Sequence, residues 1–343
     1  MTNDTTPQAL TGSDLSNLFK LLYRHKVAKK YWTKLPVLIG WSLLLAPLYW
    51  LEKILLLIMP SVPIHPEPIF IIGHWRSGTT YLHYLLAKDK QFGYCSNADA
   101  FAPGALLIGR WLTRKVIAWR LPKTRPMDNV KLHVDAPQEE EFAMMLLTPN
   151  SAYHGFVFPS ELKKMFFTFT LFNTDNVSLI NLWRNQYYQF LRKLSYGKKG
   201  KRLLLKNPAN TTRIKQLTSM FPKARFIYLY RNAEHVKQST LRMYKALINI
   251  NSLQSFDETA LRQQVEILHK AFIKEYENQR SFINPEKIIE IAYDDLIAHP
   301  LQTIRRIYET LDIPAFELNK PAFENFIHEQ ASYKPHQYSH IPG

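Results

Sequence analysis

The stretch Pro68–Ala87 reads PIFIIGHWRSGTTYLHYLLA, and its three parts decide the fold class. Ile69–Ile72 is an unbroken β-branched and aromatic run, the composition of a strand buried on both faces. Beyond the loop Gly73–Thr80, GHWRSGTT, Leu82, Leu85 and Leu86 recur at helical spacing. A loop that leaves a buried strand and opens a helix directs free N–H groups at one spot, and the helix dipole adds positive potential there. An anion belongs at that spot. Gly73 and Gly78 permit tight turns and close backbone approach, the Thr79 and Thr80 hydroxyls can donate to anion oxygens, and Arg76 brings a forked charge. The frame Gly-x-x-x-x-Gly of nucleotide loops would continue with Lys, but Thr79 stands at that position. No lysine of the loop reaches for a terminal phosphate, and no acidic residue ends a neighbouring strand to hold Mg²⁺, so metal-free chemistry is expected.

Three more runs of this kind each precede a helical pattern. Residues 201–208, KRLLLKNP, lead to Ile214, Leu217 and Met220 at helical spacing. Residues 224–231, ARFIYLYR, lead to NAEHVKQSTLRMYKALINI, and residues 287–293, KIIEIAY, precede LIAHPLQTIRRIYETL. A longer helix is expected over residues 257–281. This alternation predicts the α/β class, with a P-loop NTPase-like parallel sheet, helices on both faces and ligands at the carboxyl ends of the strands. Arg231 ends one of these strands and Ser239 lies two turns along the next helix, so both can approach one anion from the same side.

The chain has 44 Lys and Arg against 28 Asp and Glu, and the resulting charge of +16 implies an anionic partner. Cys95 is the only cysteine, which excludes an internal disulfide and favours a reducing compartment. The histidines form no His-Glu-x-x-His arrangement, so no metal site is expected. Between Lys20 and Lys34 six basic residues occur without an acidic one, and the uncharged run Leu35–Leu51 follows; Glu52 and Lys53 interrupt it before ILLLIMP resumes. A helix over that run spans about 25 Å, short of the ~30 Å hydrocarbon core, and Pro36, Gly40 and Pro47 weaken it further. Trp41, Tyr49 and Trp50 beside basic residues suit a segment lying in a membrane interface; a hydrophobic helix pair packed on the main domain stands equally beside that reading, with a true span as the third. The expected organisation is a hydrophobic helical segment over residues 1–64 and a catalytic domain over residues 65–343. The domain is expected in the cytoplasm, at the inner face of the membrane, with no nucleic-acid partner.

PIFIIGHWRSGTTYLHYLLA, LLLKNPAN, FPKARFIYLYRNAEHVKQST and IAYDDLIAHPLQTIRRIYETLDIP, in this order over residues 65–335, together resemble the sulfotransferases that use 3′-phosphoadenosine 5′-phosphosulfate (PAPS). The resemblance is to the bacterial group with Arg-Ser-Gly-Thr-Thr in the loop. It implies that Arg76, Ser77, Gly78, Thr79 and Thr80 bind the 5′-phosphosulfate and that Arg231 and Ser239 bind the 3′-phosphate. Cytosolic members carry Lys where this chain has Arg76. Lys206, at a strand end beside the first loop, is implied on the bridging oxygen, and Lys334 in a late basic loop on the 3′-phosphate or adenine. Related enzymes carry their base at a helix start with an apolar residue three positions on. Glu139 with Phe142 fits, followed by Glu140, Glu141 and His133; Asp135 and Gln138 would cap that helix as a capping box. The implied reaction moves a sulfuryl group to an acceptor hydroxyl, and the apolar N-terminal segment makes a lipid or other amphiphile the expected acceptor. Two alternatives stand beside it: a P-loop kinase or NTPase, and a non-catalytic membrane-surface scaffold.

Overall fold

The computed structural model describes residues 8–331 apart from 61, 123, 126–130 and 175. Each apolar run becomes a strand: β1 Ile69–Ile72, β3 Arg202–Lys206, β4 Arg225–Tyr230 and β5 Ile288–Ala292. A two-residue strand that the sequence pattern did not announce, β2 Phe92–Gly93, adds an edge. All pairs are parallel, in the order β2-β3-β1-β4-β5. The strand that carries the glycine loop is thus central, with Phe70 opposite Leu205 on one side and Phe226 on the other.

Fourteen helices follow in chain order among the described residues. The first six are α1 Leu15–Arg24, α2 Leu35–Ile58, α3 Thr79–Leu86, α4 Asn97–Phe101, α5 Arg110–Arg120 and α6 Glu140–Leu147. The next five are α7 Leu162–Phe169, α8 Val177–Gly197, α9 Ile214–Met220, α10 Ala233–Asn251 and α11 Glu258–Gln279. The last three are α12 Tyr293–Ala298, α13 Pro300–Thr310 and α14 Phe316–Ala331.

Side chains alternate across the strands, so each strand serves two layers. Phe70, Ile72, Leu203, Leu205 and Phe226 meet Trp183, Tyr187 and Phe190 of α8. Ile69, Ile71, Leu204, Ile227 and Ile291 meet Leu82 and Leu85 of α3, Ile304 of α13 and Phe323 of α14. Because all strands run parallel, every strand's carboxyl end, and the loop after it, lies at one rim of the sheet.

The N-terminal segment departs from the sequence expectation. Glu52 and Lys53 do not interrupt it, because α2 runs through them and through Pro47 as one helix. Glu52 is buried, ion-paired with Lys193 at 2.9 Å, and it accepts hydrogen bonds from the backbone N–H of Leu107 (2.7 Å) and Ile108 (3.0 Å). A carboxylate so satisfied costs the helix little. Tyr49 donates to the Gly12 carbonyl at 2.6 Å, and its ring lies so close to Gly104 that a Cβ there would come within 2.3 Å of it. α2 is therefore docked against the body of the protein by its few polar residues. Together with the preceding turn it forms a helical stretch, Lys29–Ile58, long and apolar enough by length and composition to cross a membrane.

Candidate active site

The loop after β1 is shaped by three left-handed residues, Gly73 (φ 142°), Arg76 (φ 70°) and Gly78 (φ 95°). A Cβ on Gly73 would lie 2.3 Å from the Leu229 carbonyl oxygen, and one on Gly78 2.3 Å from the Tyr293 ring, so both positions require glycine. The Gly73 N–H donates to Thr211 Oγ1 at 2.8 Å, tying the loop to the turn after β3. Arg76 pays for its backbone strain with a side-chain contact: its Nε donates to Ser239 Oγ at 2.8 Å. Ser77 Oγ donates back to the His74 carbonyl at 2.7 Å, which closes the loop. Gly78 caps α3, its carbonyl accepting from the Tyr81 N–H at 3.0 Å, while the Thr79 and Thr80 N–H groups come before any intrahelical acceptor.

The cradle and the second cationic element meet. Ser239, buried two turns into α10, is the residue that receives Arg76, while Arg231 lies just beyond β4 with its guanidinium 4.1 Å above the Tyr293 ring. The same Tyr293 closes against Gly78, so one ring touches both the glycine loop and Arg231. Arg231 Nε is buried without a hydrogen-bond partner. A shaped cradle and an orphaned guanidinium N–H fit a ligand with two separated anionic groups. Thr79 is buried, and Thr80 Oγ1 lies 3.4 Å from both Lys206 Nζ and Arg125 Nη1. Lys334 lies outside the described residues.

The three consecutive glutamates part company. Asp135 does not cap α6: it binds Arg114, through Arg114 Nε at 2.9 Å, and the helix begins at Glu140 with Glu139 as its cap residue. Gln138 is spent on Asn97 (2.8 Å) and on the Glu139 N–H (2.9 Å), so the expected capping box is absent. Glu141 is fully buried, paired with Arg213 at 2.8 Å and accepting from Asn207 and Ser151, each at 2.8 Å. Burial alone would raise its pKa, but Arg213 and these donors bring it below the usual carboxylate value. Glu140 is also fully buried, accepts from Tyr187 (2.7 Å) and Asn210 (3.0 Å), and burial pushes its pKa up to about 7. Neither faces the loop. The His133 side chain is 73% exposed and lies 3.8 Å from Asp135.

Of the three glutamates, Glu139 is the one paired with Lys206. Its Oε1 is 2.5 Å from Lys206 Nζ, and its Oε2 accepts from the Tyr153 hydroxyl, which in turn accepts from Trp75 Nε1 at 2.9 Å. Burial lowers the Lys206 pKa and the Glu139 carboxylate partly restores it. Glu139 also lines a cavity of about 530 Å³ whose other walls are almost wholly apolar: Leu45 and Leu48 of α2, Val116 and Ile117 of α5, Phe142 of α6 and Met243 of α10. The arrangement sets a carboxylate and an ammonium between an anion cradle and a greasy chamber. Tyr153, Trp75 and Arg125 were not foreseen as site residues. Trp75 sits inside the loop motif, where an aromatic residue buried among glycines could have flagged it, whereas Tyr153 and Arg125 carry no local signal.

Residues 68–317 match the family model described as the sulfotransferase family. The chain is 31% identical over 271 residues to omega-hydroxy-beta-dihydromenaquinone-9 sulfotransferase Stf3 of Mycobacterium tuberculosis and of Mycobacterium bovis, covering 79% of this chain and 69% of theirs. The fold is similar to sulfotransferase STF1 from Mycobacterium tuberculosis, with TM-score 0.66 and 17% identity over 94% of this chain and 89% of that one. It is also similar to sulfotransferase STF9 from Mycobacterium avium, with TM-score 0.63 and 17% identity over 85% and 72%. The kinase and scaffold alternatives thereby fall away, and this chain belongs to the sulfotransferase family.

Proposed function

We propose that the enzyme uses PAPS as donor and sulfates the hydroxyl of a lipid or other amphiphile whose apolar part occupies the cavity beside Glu139. The observation that carries this reading is the Glu139–Lys206 pair standing where the anion cradle meets the 530 Å³ apolar chamber. When bound, the donor supplies a sulfuryl group, its S–O bond to the 5′-phosphate breaking as an S–O bond to the acceptor oxygen forms. Arg76, Ser77, Gly78, Thr79 and Thr80 would hold the 5′ end through the loop N–H groups and hydroxyls, and Arg231 with Ser239 the 3′-phosphate. Lys206, already within 3.4 Å of Thr80, would neutralise charge on the leaving phosphate oxygen. Glu139 would take the acceptor proton, and Tyr153, anchored by Trp75, holds the carboxylate toward the chamber. The relative named for a menaquinone derivative supports an acceptor with a long apolar body. The basic arm and apolar α2 support a cytoplasmic domain at the membrane face.

Titration calorimetry with adenosine 3′,5′-bisphosphate in a chelator-containing buffer tests the donor. Binding should persist without metal and weaken about 10- to 100-fold in Arg231→Ala, as expected for loss of charged hydrogen bonds. Glu139→Gln should keep that binding and lose about 10²- to 10⁴-fold in turnover. Equal affinity in Arg231→Ala, or full turnover in Glu139→Gln, would overturn the assignment. For the acceptor, turnover should improve as the alkyl chain of a test alcohol lengthens; indifference to chain length sinks the amphiphile.

A further inference from the structure

In a helix that rests on a protein, apolar residues ordinarily face inward. α2 obeys this only in part: Leu38 is buried with Ser42, Tyr49 and Glu52, while Leu43, Trp50, Leu51, Ile54, Leu57 and Ile58 are exposed, Leu57 at 85%. α5 runs antiparallel beside it. Gly109, the residue before α5, packs on Leu48, where an added Cβ would lie 3.1 Å from a leucine methyl, and Arg120 at its far end stacks 5.1 Å from the Trp41 ring. α5 likewise turns Trp111 and Trp119 outward, Trp119 at 79% exposure. Two neighbouring helices thus both carry several large exposed apolar side chains.

Charge and aromatic placement say what covers them. Lys20, Arg24, Lys26, Lys29 and Lys30 are exposed on the approach to the N-terminal end of α2, beside the exposed Tyr23 and Trp32. On α5, Lys115 Nζ lies 4.0 Å over the Trp111 ring. Tryptophans set among lysines on an apolar face match the headgroup layer of an anionic bilayer. The chamber opens on this same face. Leu44 of α2 and Leu112 of α5 both line it and are both exposed, so its mouth lies between the two helices.

We infer that α2 and α5 form a docking face for an anionic membrane and that the acceptor enters the chamber from the bilayer through the gap at Leu44 and Leu112. The entry route rests on the amphiphile reading above. The buried Glu52–Lys193 pair and the Tyr49 contact keep α2 against the protein, so the helix lies in the interface rather than crossing it.

The test compares wild-type protein with the triple variant Trp50→Glu/Leu57→Glu/Trp119→Glu, whose changes avoid the chamber wall. Co-sedimentation uses vesicles of phosphatidylcholine with phosphatidylglycerol, or of phosphatidylcholine alone. Wild-type protein should bind the anionic vesicles, less so in high salt, and the variant should lose at least about tenfold in partitioning. The variant should bind adenosine 3′,5′-bisphosphate and sulfate a short soluble alcohol as wild type does, while losing about tenfold on a long-chain alcohol embedded in vesicles. Vesicle binding unchanged in the variant overturns the proposal. So does wild-type protein that ignores vesicles, including the case of a dimer that the variant splits, which makes the face a contact between copies. Failure of bisphosphate binding in both proteins would overturn the donor reading instead, with vesicle binding still deciding the docking face.

Discussion

Beneath Glu139 lies a floor of buried polar groups, and above it a canopy of apolar side chains. In the floor Glu140, Glu141, Arg213, Asn207, Asn210, Ser151 and Tyr187 bond to one another at 2.7 to 3.0 Å, with almost no water access. In the canopy α2 and α5 meet the chamber mainly through leucine, valine and isoleucine, with Trp41, Thr113 and Arg120 beside them. Under the proposed function the difference divides the tasks: the floor would hold the reacting groups in place, and the canopy would yield to the shape of an acceptor. The sharpest way to break this contrast is to remove one side chain from each. Arg213→Ala leaves Glu141 charged, buried and unpaired, which should cost about 3–5 kcal/mol in urea unfolding. Leu44→Ala in the canopy should change stability by no more than about 0.5 kcal/mol, because the leucine is 66% exposed. Similar losses in both would erase the distinction between floor and canopy.

Adjacent residues within the floor offer a second test. Burial holds the Glu140 pKa near 7 in the fold, above its ordinary 4.5, whereas Glu141 is held below that value against the pull of burial. For a carboxyl raised on folding, the folded state keeps a proton that the unfolded chain has lost. Its stabilising contribution is complete below about pH 4.5 and is lost as pH rises through about 7. For Glu141 the sign reverses, and stability is lost as pH falls below the ordinary carboxylate range. Glu140→Gln should therefore gain on wild type between pH 4.5 and 7, by on the order of 3 kcal/mol. Denaturant midpoints measured across that range read it directly. A constant difference between the two proteins would show that Glu140 does not titrate there.

Local chemistry explains what the sequence disclosed. The glycine loop, four of the strands and the Arg231 and Ser239 positions are announced by short patterns, because a strand, a turn and a helix start are set by neighbours in the chain. Glu139 was separable from Glu140 and Glu141 only weakly, since all three share a first-turn composition and tertiary partners decide which carboxylate pairs with Lys206. β2, two residues long, carries no periodicity to detect. Glu52 looked like an interruption for the same reason in reverse: its partner Lys193 is distant in sequence, and the pair makes sense only after α8 is in place. Tyr153 and Arg125 arrive at the site from segments with no regular strand or long helix, so nothing in their surroundings marks them.

The smallest expected effect probes the seam between floor and canopy. Lys206 is buried, which lowers its pKa, and Glu139 at 2.5 Å is the main influence raising it again. An anion at the cradle is attracted by the ammonium form and not by the amine, so bisphosphate affinity should fall on the alkaline side as Lys206 loses its proton. Replacing Glu139 by Gln removes the compensating charge and leaves burial unopposed, so the alkaline fall should begin at lower pH. The comparison is made on binding rather than turnover, because Glu139→Gln is expected to be nearly inactive. Calorimetric titrations of both proteins between neutral and strongly alkaline pH supply the two curves. A limb that stays where it is in wild type would mean that Lys206 does not contact the anion, and that its pairing with Glu139 serves the floor alone.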